Sequence, residues 1–329
     1  MKSSILKNIY RNIQTLSSTN IKKTLNDYSN RIVALENFTT WQPKQIELKY
    51  HYLNILHYYA YHKERAKQYQ KELDFLYEYG DFTNFPYKTN NSEKEIDSGV
   101  DFVSKLPYII HNNKKLFFPA SFSTDEAKKC YLYYVQTEKL LGINDISIAP
   151  HQYQSQRIQV SEKDIVFDIG AAEGLFALNN IDKASKLIIV ENDPMWITPL
   201  KFTFAPYQDK VTIINKYISS TDTEKTMSLN TLLSSIEYNS AFIKMDIEGC
   251  EVPAISSALD YLKTKKNTKF AVASYHRQND ACELQKLFEM MGYQIEFSNG
   301  YMLFCLYDTP VPPYFRKGII RATNINVKI

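Results

Sequence analysis

From Asp164 onward the chain alternates short apolar runs with helical or turn-rich segments, and that alternation restricts the fold more than any other feature. The runs cover residues 165–169, 187–190, 211–214, 242–245, 270–273, 293–297 and 302–306. Nearly continuous apolar strands separated by helices imply a largely parallel sheet covered on both faces. The last two runs meet at Ser298-Asn299-Gly300, a tight hairpin that would make them antiparallel. An α/β sheet of seven strands is therefore expected, mostly parallel with an antiparallel last strand.

The region before the sheet reads differently. After Pro43 there is no glycine or proline up to Tyr79, and aromatics recur at helical offsets (Tyr50, Leu53, His57; Tyr52, Ile55, Tyr59). Pro43 suits a first helical turn and Gly80 a helix exit, so one or two helices are expected. Their tyrosines read as interhelical packing in preference to a sugar-stacking surface. The polar KTNNSEKEIDSG (88–99) reads as a linker. LPYIIHNNKKLFFPA (106–120) predicts two strands around an Asn-Asn-Lys-Lys turn, and DEAKKCYLYYVQTEKLL (125–141) predicts a helix. The division that follows is a helical N-terminal region at 1–95, a lead-in hairpin and helix covering the pocket at 96–159, the sheet domain at 160–308 and a C-terminal tail at 309–329.

Composition narrows the function. A net charge of +3, from 39 basic and 36 acidic side chains, gives no push toward nucleic acid, although Arg316, Lys317, Arg321 and Lys328 make the tail locally basic. Cys130, Cys250, Cys282 and Cys305 lack CxxC spacing and read as free core thiols of a reducing compartment, with no structural zinc. The N-terminus lacks the apolar core of a signal peptide, and no run is long enough to span a bilayer. A cytoplasmic location is expected, with residues 1–30 read as a tertiary or mobile helix and not as a membrane contact.

The stretch VFDIGAAEGLFAL (166–178) leaves the first strand at the edge where open α/β sheets bind ligands. A dinucleotide loop would read GxGxxG; here the order is Asp168, Gly170, Gly174, a DxGxxxG pattern without the middle glycine. Anionic Asp168 is a poor neighbour for phosphates and a good one for the sulfonium and ammonium of S-adenosylmethionine. Glu191 closes the second strand 23 residues later, where an acid accepts hydrogen bonds from ribose hydroxyls. The expected cofactor set is Asp168, Gly170, Ala171, Glu173, Gly174, Glu191, Asn192, Tyr217 and Asp246.

DIVFDIGAAEGLFAL, IIVENDP and AFIKMDIEGCEVPAI together resemble the FkbM family of S-adenosylmethionine-dependent methyltransferases, with FIKMDIEG matching that family's IKxDxEGxE signature. The resemblance covers about 160–305 and implies the Rossmann-like class I methyltransferase sheet, S-adenosylmethionine as cofactor, and O-methylation of a hydroxyl on a sugar, glycan or related small molecule. On that comparison Asp168, Gly170 and Gly174 match the cofactor loop and Glu191 the ribose acid. Where the family often carries LDD before its fourth strand, this chain reads SLNTLL, with Asn230 in the first acidic position.

Methyl transfer needs an aligned nucleophile and, for a hydroxyl, removal of its proton. Asp246 and Glu248 follow the fourth strand and His276 follows the fifth. His276 is the first choice as base, since a neutral imidazole can accept a proton near neutral pH; Asp246 and Glu248 are the alternatives, and no metal is expected. Asp246 with Glu248 or Asp280 could hold a divalent ion only as a minor reading, and capping of the helix starting near Cys250 is the alternative role for these acids, more so for Glu251 than for Asp246. Two rival functions are an RNA or protein methyltransferase on the same cofactor domain and a catalytically inactive scaffold.

Overall fold

A computed structural model of the chain describes residues 43–88, 96–138 and 149–325. The expectations for residues 1–30 and for most of the linker lie outside the described residues. The chain divides into two compact units.

The first unit holds 43–88 with 301–304 and 309–315. Helix α1 (Pro43–Tyr61) and helix α2 (Gln70–Tyr79) are its frame. The periodicity read from the sequence is the buried one: Tyr52, Leu53, Ile55, Leu56 and Tyr59 close on Tyr69, Leu73, Leu76, Leu303 and Phe315. The tyrosines are thus packing residues; Tyr59 alone meets Tyr69, Tyr314 and Phe315 ring to ring. Gly80, at φ 75°, ends α2 by donating its N–H to the Leu76 carbonyl, a left-handed exit that costs glycine little.

The second unit holds 96–138, 149–300, 305–308 and 316–325 among the described residues. It opens with strands β1 (Ser98–Val100), β2 (Pro107–His111) and β3 (Lys114–Phe117), an antiparallel sheet whose hairpin turns at Asn112-Asn113, both at positive φ. Helix α3 (Thr124–Glu138) follows; residues 139–141, expected to continue it, are outside the described residues.

The main sheet comprises β4 (Ile165–Ile169), β5 (Lys186–Val190), β6 (Val211–Ile214), β9 (Ala241–Met245), β10 (Thr268–Ala273), β11 (Gln294–Phe297) and β12 (Ile319–Thr323). Between β6 and β9 lies a two-stranded ribbon, β7 (Tyr217–Ser219) with β8 (Thr226–Ser228). Helices α4 (Leu175–Asn180), α5 (Pro194–Phe204), α6 (Leu229–Ser234), α7 (Glu251–Ser257), α8 (Leu259–Thr264) and α9 (Asp280–Met290) connect the strands. The spatial order is β11-β12-β10-β9-β4-β5-β6, with β12 antiparallel to both neighbours and the remaining pairs parallel. That order, with one reversed strand inserted next to the edge, is the class I methyltransferase sheet. The main core lies on β4, β9 and β10, where Phe167, Ile243, Met245, Phe270 and Val272 are fully buried.

Two expectations are corrected. The run at 302–306 is not the last strand, and 298–300 is not a hairpin; Met302, Leu303 and Phe304 are buried but belong to the first unit. The last strand is β12, in the stretch expected as a tail. Its residues are all buried, and the charge of Arg321 at its centre disguised it; that guanidinium bonds Glu296 and the Gln152 and Tyr153 carbonyls. Apolar runs report burial, and burial against helices looks the same as burial in a sheet.

Candidate active site

The loop 170–174 joins β4 to α4, and Gly170, Ala172 and Gly174 all have positive φ. A Cβ on Gly170 would lie 1.8 Å from the Asp246 carbonyl oxygen, and one on Gly174 would lie 2.7 Å from Leu200 Cδ2. Both glycines therefore admit neighbouring protein atoms. Gly170 lets the end of β4 close on the end of β9, which sets the loop directly beside Asp246.

Asp168 is fully buried. Its Oδ1 lies 3.1 Å from Lys244 Nζ, and its Oδ2 accepts the Ala177 N–H at 3.1 Å. Lys244 also donates to the Gly170 carbonyl. Burial alone would lower the Lys244 pKa, but the charges of Asp168 and Asp246 outweigh it and raise it. Glu191 is buried at the end of β5, where Oε2 accepts from Ala172 N at 2.8 Å and Oε1 from Asn192 and Asp193 N, both at 2.7 Å. Its carboxylate ties the two loops together. Tyr217 begins β7, 54% exposed, two residues beyond Asn215, whose amide bonds the Glu191 carbonyl. Ala171 is buried in the loop; Asn192 is half-buried.

Asp246, Glu248 and His276 do come together. His276 Nε2 is 3.3 Å from Asp246 Oδ1 and 3.5 Å from Glu248 Oε2, while its Nδ1 is 3.0 Å from Glu251 Oε1. Glu251 also accepts the Ile247 N–H at 2.8 Å, so it joins the β9 exit to His276 in addition to heading α7. Tyr307 donates to Glu248 at 2.5 Å. Arg316 donates to the Tyr275 and His276 carbonyls, both at 2.9 Å, and holds that step in place.

The expectation of a neutral His276 is corrected. Burial would lower its pKa, but the hydrogen bond and charge of Glu251, with Asp246 and Glu248, push it up to about 9. An imidazolium with no exposed surface, held between carboxylates, has no lone pair to offer at neutral pH. Asp246 responds in the opposite sense. Burial would raise it, yet the His151 hydrogen bond and the positive charges of His276, His151 and Lys244 hold its carboxyl well below the usual range.

Sequence reasoning missed three partners of Asp246. Tyr153 donates to Oδ2 at 2.7 Å, His151 Nε2 lies 3.1 Å away and Tyr275 OH 3.4 Å away. Burial, then the charge of Asp246, raises both phenols far above their ordinary pKa, so they remain donors. Lys244 was missed too, although its place in the strand, two residues before Asp246, is legible in the signature itself.

Among the described residues, Asp246, Glu251 and His276 form a group of metal-ligating type. His276 is already paired with both carboxylates, at 3.3 Å from Asp246 and 3.0 Å from Glu251, and Asp280 lies outside this group. The cysteines are not core thiols: Cys282 is exposed and the other three half-buried. Burial, then the charge of Glu251, raises the Cys250 thiol. Nor do the described tail arginines form a basic surface, since Arg316 and Arg321 are buried and bonded. No helix among the described residues is long and apolar enough to cross a membrane.

No family model matches the chain, and neither does any curated protein. Among solved structures it is similar to the methyltransferase FkbM from Methylobacillus flagellatus KT, at 21% identity over 52% of this chain and 46% of that one, with a TM-score of 0.40. It is also similar to precorrin-6y C5,15-methyltransferase from Geobacter metallireducens GS-15, at 14% identity, 50% and 82% coverage and a TM-score of 0.35. A third is precorrin 8w decarboxylase from Methanobacterium thermoautotrophicum, at 11% identity, 51% and 86% coverage and a TM-score of 0.35. The chain thus spans less than half the length of the FkbM protein it is similar to. The fold assignment rests on this chain's own strand order.

Proposed function

We propose that this chain is an S-adenosylmethionine-dependent O-methyltransferase acting on a hydroxyl of a sugar, glycan or related small molecule. The observation that carries it is the contact of two strand ends, Gly170 against Asp246, which sets an acid-lined loop beside an ionised carboxylate held by His151, Tyr153, Tyr275 and His276. The loop fits a cationic adenosyl ligand on two counts. Glu191 closes the second strand, and Glu173 keeps a buried oxygen without a hydrogen-bond partner among the described residues. The sugar or glycan acceptor rests on the sequence resemblance alone.

When bound, S-adenosylmethionine supplies an electrophilic methyl carbon. The chain's own residues would do the rest. Asp246 accepts a hydrogen bond from the acceptor hydroxyl and orients its oxygen toward the loop. As the O–C bond formed and the sulfonium S–C bond broke, leaving a neutral thioether, the hydroxyl proton would become strongly acidic, so a weak base such as Asp246 would be sufficient to take it. Tyr153, Tyr275 and the His276 imidazolium keep the carboxylate ionised until then. His276 is accordingly a positioning residue in this reading, and solvent-facing Glu248 borders the exit.

The test is mass spectrometry of glycans and small metabolites from cells with and without the gene, repeated after complementation with Asp246→Asn. Loss of one methyl group (14 mass units by its formula, roughly) that the wild-type gene restores and the variant does not is the expected result. An unchanged methylation profile would reject the proposal.

A further inference from the structure

We infer that Glu173, and not Asp168, is the loop carboxylate that takes the positive charge of a bound ligand, and that this charge is the methionyl ammonium of S-adenosylmethionine. The inference rests on the cofactor reading above. It also reverses the assignment that the position of Asp168 in the motif invites.

Asp168 already has a cation of its own, although its Oδ1, like Glu173 Oε2, accepts no hydrogen bond among the described residues. It is 0% exposed, Lys244 meets one oxygen at 3.1 Å, and the Ala177 N–H meets the other at 3.1 Å. A second cation there would face the Lys244 ammonium. Glu191 already accepts three backbone N–H groups and suits ribose hydroxyls better than a cation.

Glu173 is the opposite case. It is 4% exposed, and its Oε2 has no hydrogen-bond partner among the described residues. A buried polar oxygen left unmet costs about 1–3 kcal/mol, so a donor that arrives there gains a hydrogen bond. The groups that act on it are Cys130, Tyr134 and Glu138 of α3, Asp168 of β4 and Lys244 of β9. Only Lys244 among these is a cation, and it is bonded to Asp168 and to the Gly170 carbonyl. Burial pushes the Glu173 carboxyl up to about 8, its own backbone N–H opposes that push, and the charge of Glu138 adds to it. An arriving ammonium would reverse the shift, ionise the carboxyl and complete its hydrogen bonding.

Calorimetric titration of the full chain separates the alternatives, with Glu173→Gln as the variant. Glutamine keeps the shape and is neutral, as Glu173 largely is before a cation arrives. Three ligands are compared: S-adenosylmethionine, S-adenosylhomocysteine (ammonium kept, sulfonium charge absent) and 5′-methylthioadenosine (neither). The variant should bind the first two about tenfold or more weakly, the range of a lost charge-assisted hydrogen bond, and bind methylthioadenosine as the wild type does. Unchanged affinity for the first two, or an equal loss for all three, would overturn the assignment while leaving the cofactor reading intact. Loss for S-adenosylmethionine alone would move the charge to the sulfonium and overturn it as well. Failure of the wild type to bind S-adenosylmethionine would remove the cofactor reading itself.

Discussion

The contact between Gly170 and Asp246 can be tested by adding one carbon. In Gly170→Ala the new Cβ would lie 1.8 Å from the Asp246 carbonyl oxygen and 2.8 Å from its carbon, both main-chain atoms of the neighbouring strand end. Relief requires β4 and β9 to part by more than ~1 Å there, since non-bonded heavy atoms settle about 3.5 Å apart. That separation breaks the Asp246 N–H bond to the Ile169 carbonyl, now 3.0 Å. Leaving those buried groups unmet costs about 1–3 kcal/mol. The left-handed backbone, at φ 73°, adds about 1–2 kcal/mol for any residue with a Cβ. The total is about 2–5 kcal/mol, a large share of the ~5–15 kcal/mol by which most domains are stable.

Gly292 supplies the internal control. It has nearly the same φ, 78°, but a Cβ there would meet nothing within 4 Å. Gly292→Ala should therefore cost the backbone strain alone, about 1–2 kcal/mol. Urea unfolding followed by far-ultraviolet circular dichroism gives both values, provided the denaturant slopes agree. A Gly170→Ala loss equal to that of Gly292→Ala within error would refute the strand-end contact. It would return Gly170 to the simpler role of making room for a ligand.

Two further perturbations address the buried charges. Lys244→Met leaves Asp168 buried without its cation and should cost about 3–5 kcal/mol, most of it recovered when Asp168→Leu is added; thermal melting of the single and double variants checks this. For His276 the folded pKa of about 9 lies above the ordinary 6.5, so its contribution is complete below pH 6.5 and is lost as pH rises through 9. The stability difference between wild type and His276→Gln should therefore shrink by up to about 3 kcal/mol from pH 6.5 to beyond 9, read from urea midpoints. A difference independent of pH would mean that His276 is not charged in the native state.

The strands that carry the site were legible because β4, β5, β9 and β10 are mostly buried and read as apolar runs; the half-buried edge strand β6 also falls where its run falls. Strand β12 was not, since its central Arg321 lowers the apolar count while its own hydrogen bonds make burial tolerable. Met302 to Phe304 gave the opposite error, a buried apolar run outside the main sheet, with Leu303 in the core of the helical unit. The clustering of Asp246, Glu248 and His276 was legible for a geometric reason: neighbouring parallel strands bring their exits to one edge. His151 and Tyr153 reach Asp246 across 95 and 93 residues of chain, and no spacing rule connects them. Protonation was hidden as well. Nothing in SYHR reveals that Glu251 stands 3.0 Å behind the imidazole, and that carboxylate is the main force holding its proton.

The acids around the β4 and β9 exits differ in what satisfies them, and the differences sort their roles. Asp168 meets a lysine, Glu191 meets three N–H groups, and Glu251 and Asp246 share an imidazolium. Each of these acids is already bonded, so each shapes the site before any ligand arrives. Asp246 differs in keeping 14% of its side chain accessible while four side chains surround it. An ionised carboxylate in that setting can accept one more hydrogen bond, from a hydroxyl, without giving up those it has. Asp168, Glu251 and Glu173 each keep one buried oxygen without a hydrogen bond among the described residues, but Asp168 pairs with Lys244 and Glu251 with His276, whereas no ion pair to Glu173 is formed among those residues. Asp246 with room for one more hydrogen bond and Glu173 with an unmet oxygen, on adjoining strand exits, are the two acids on which the proposed methyl transfer rests.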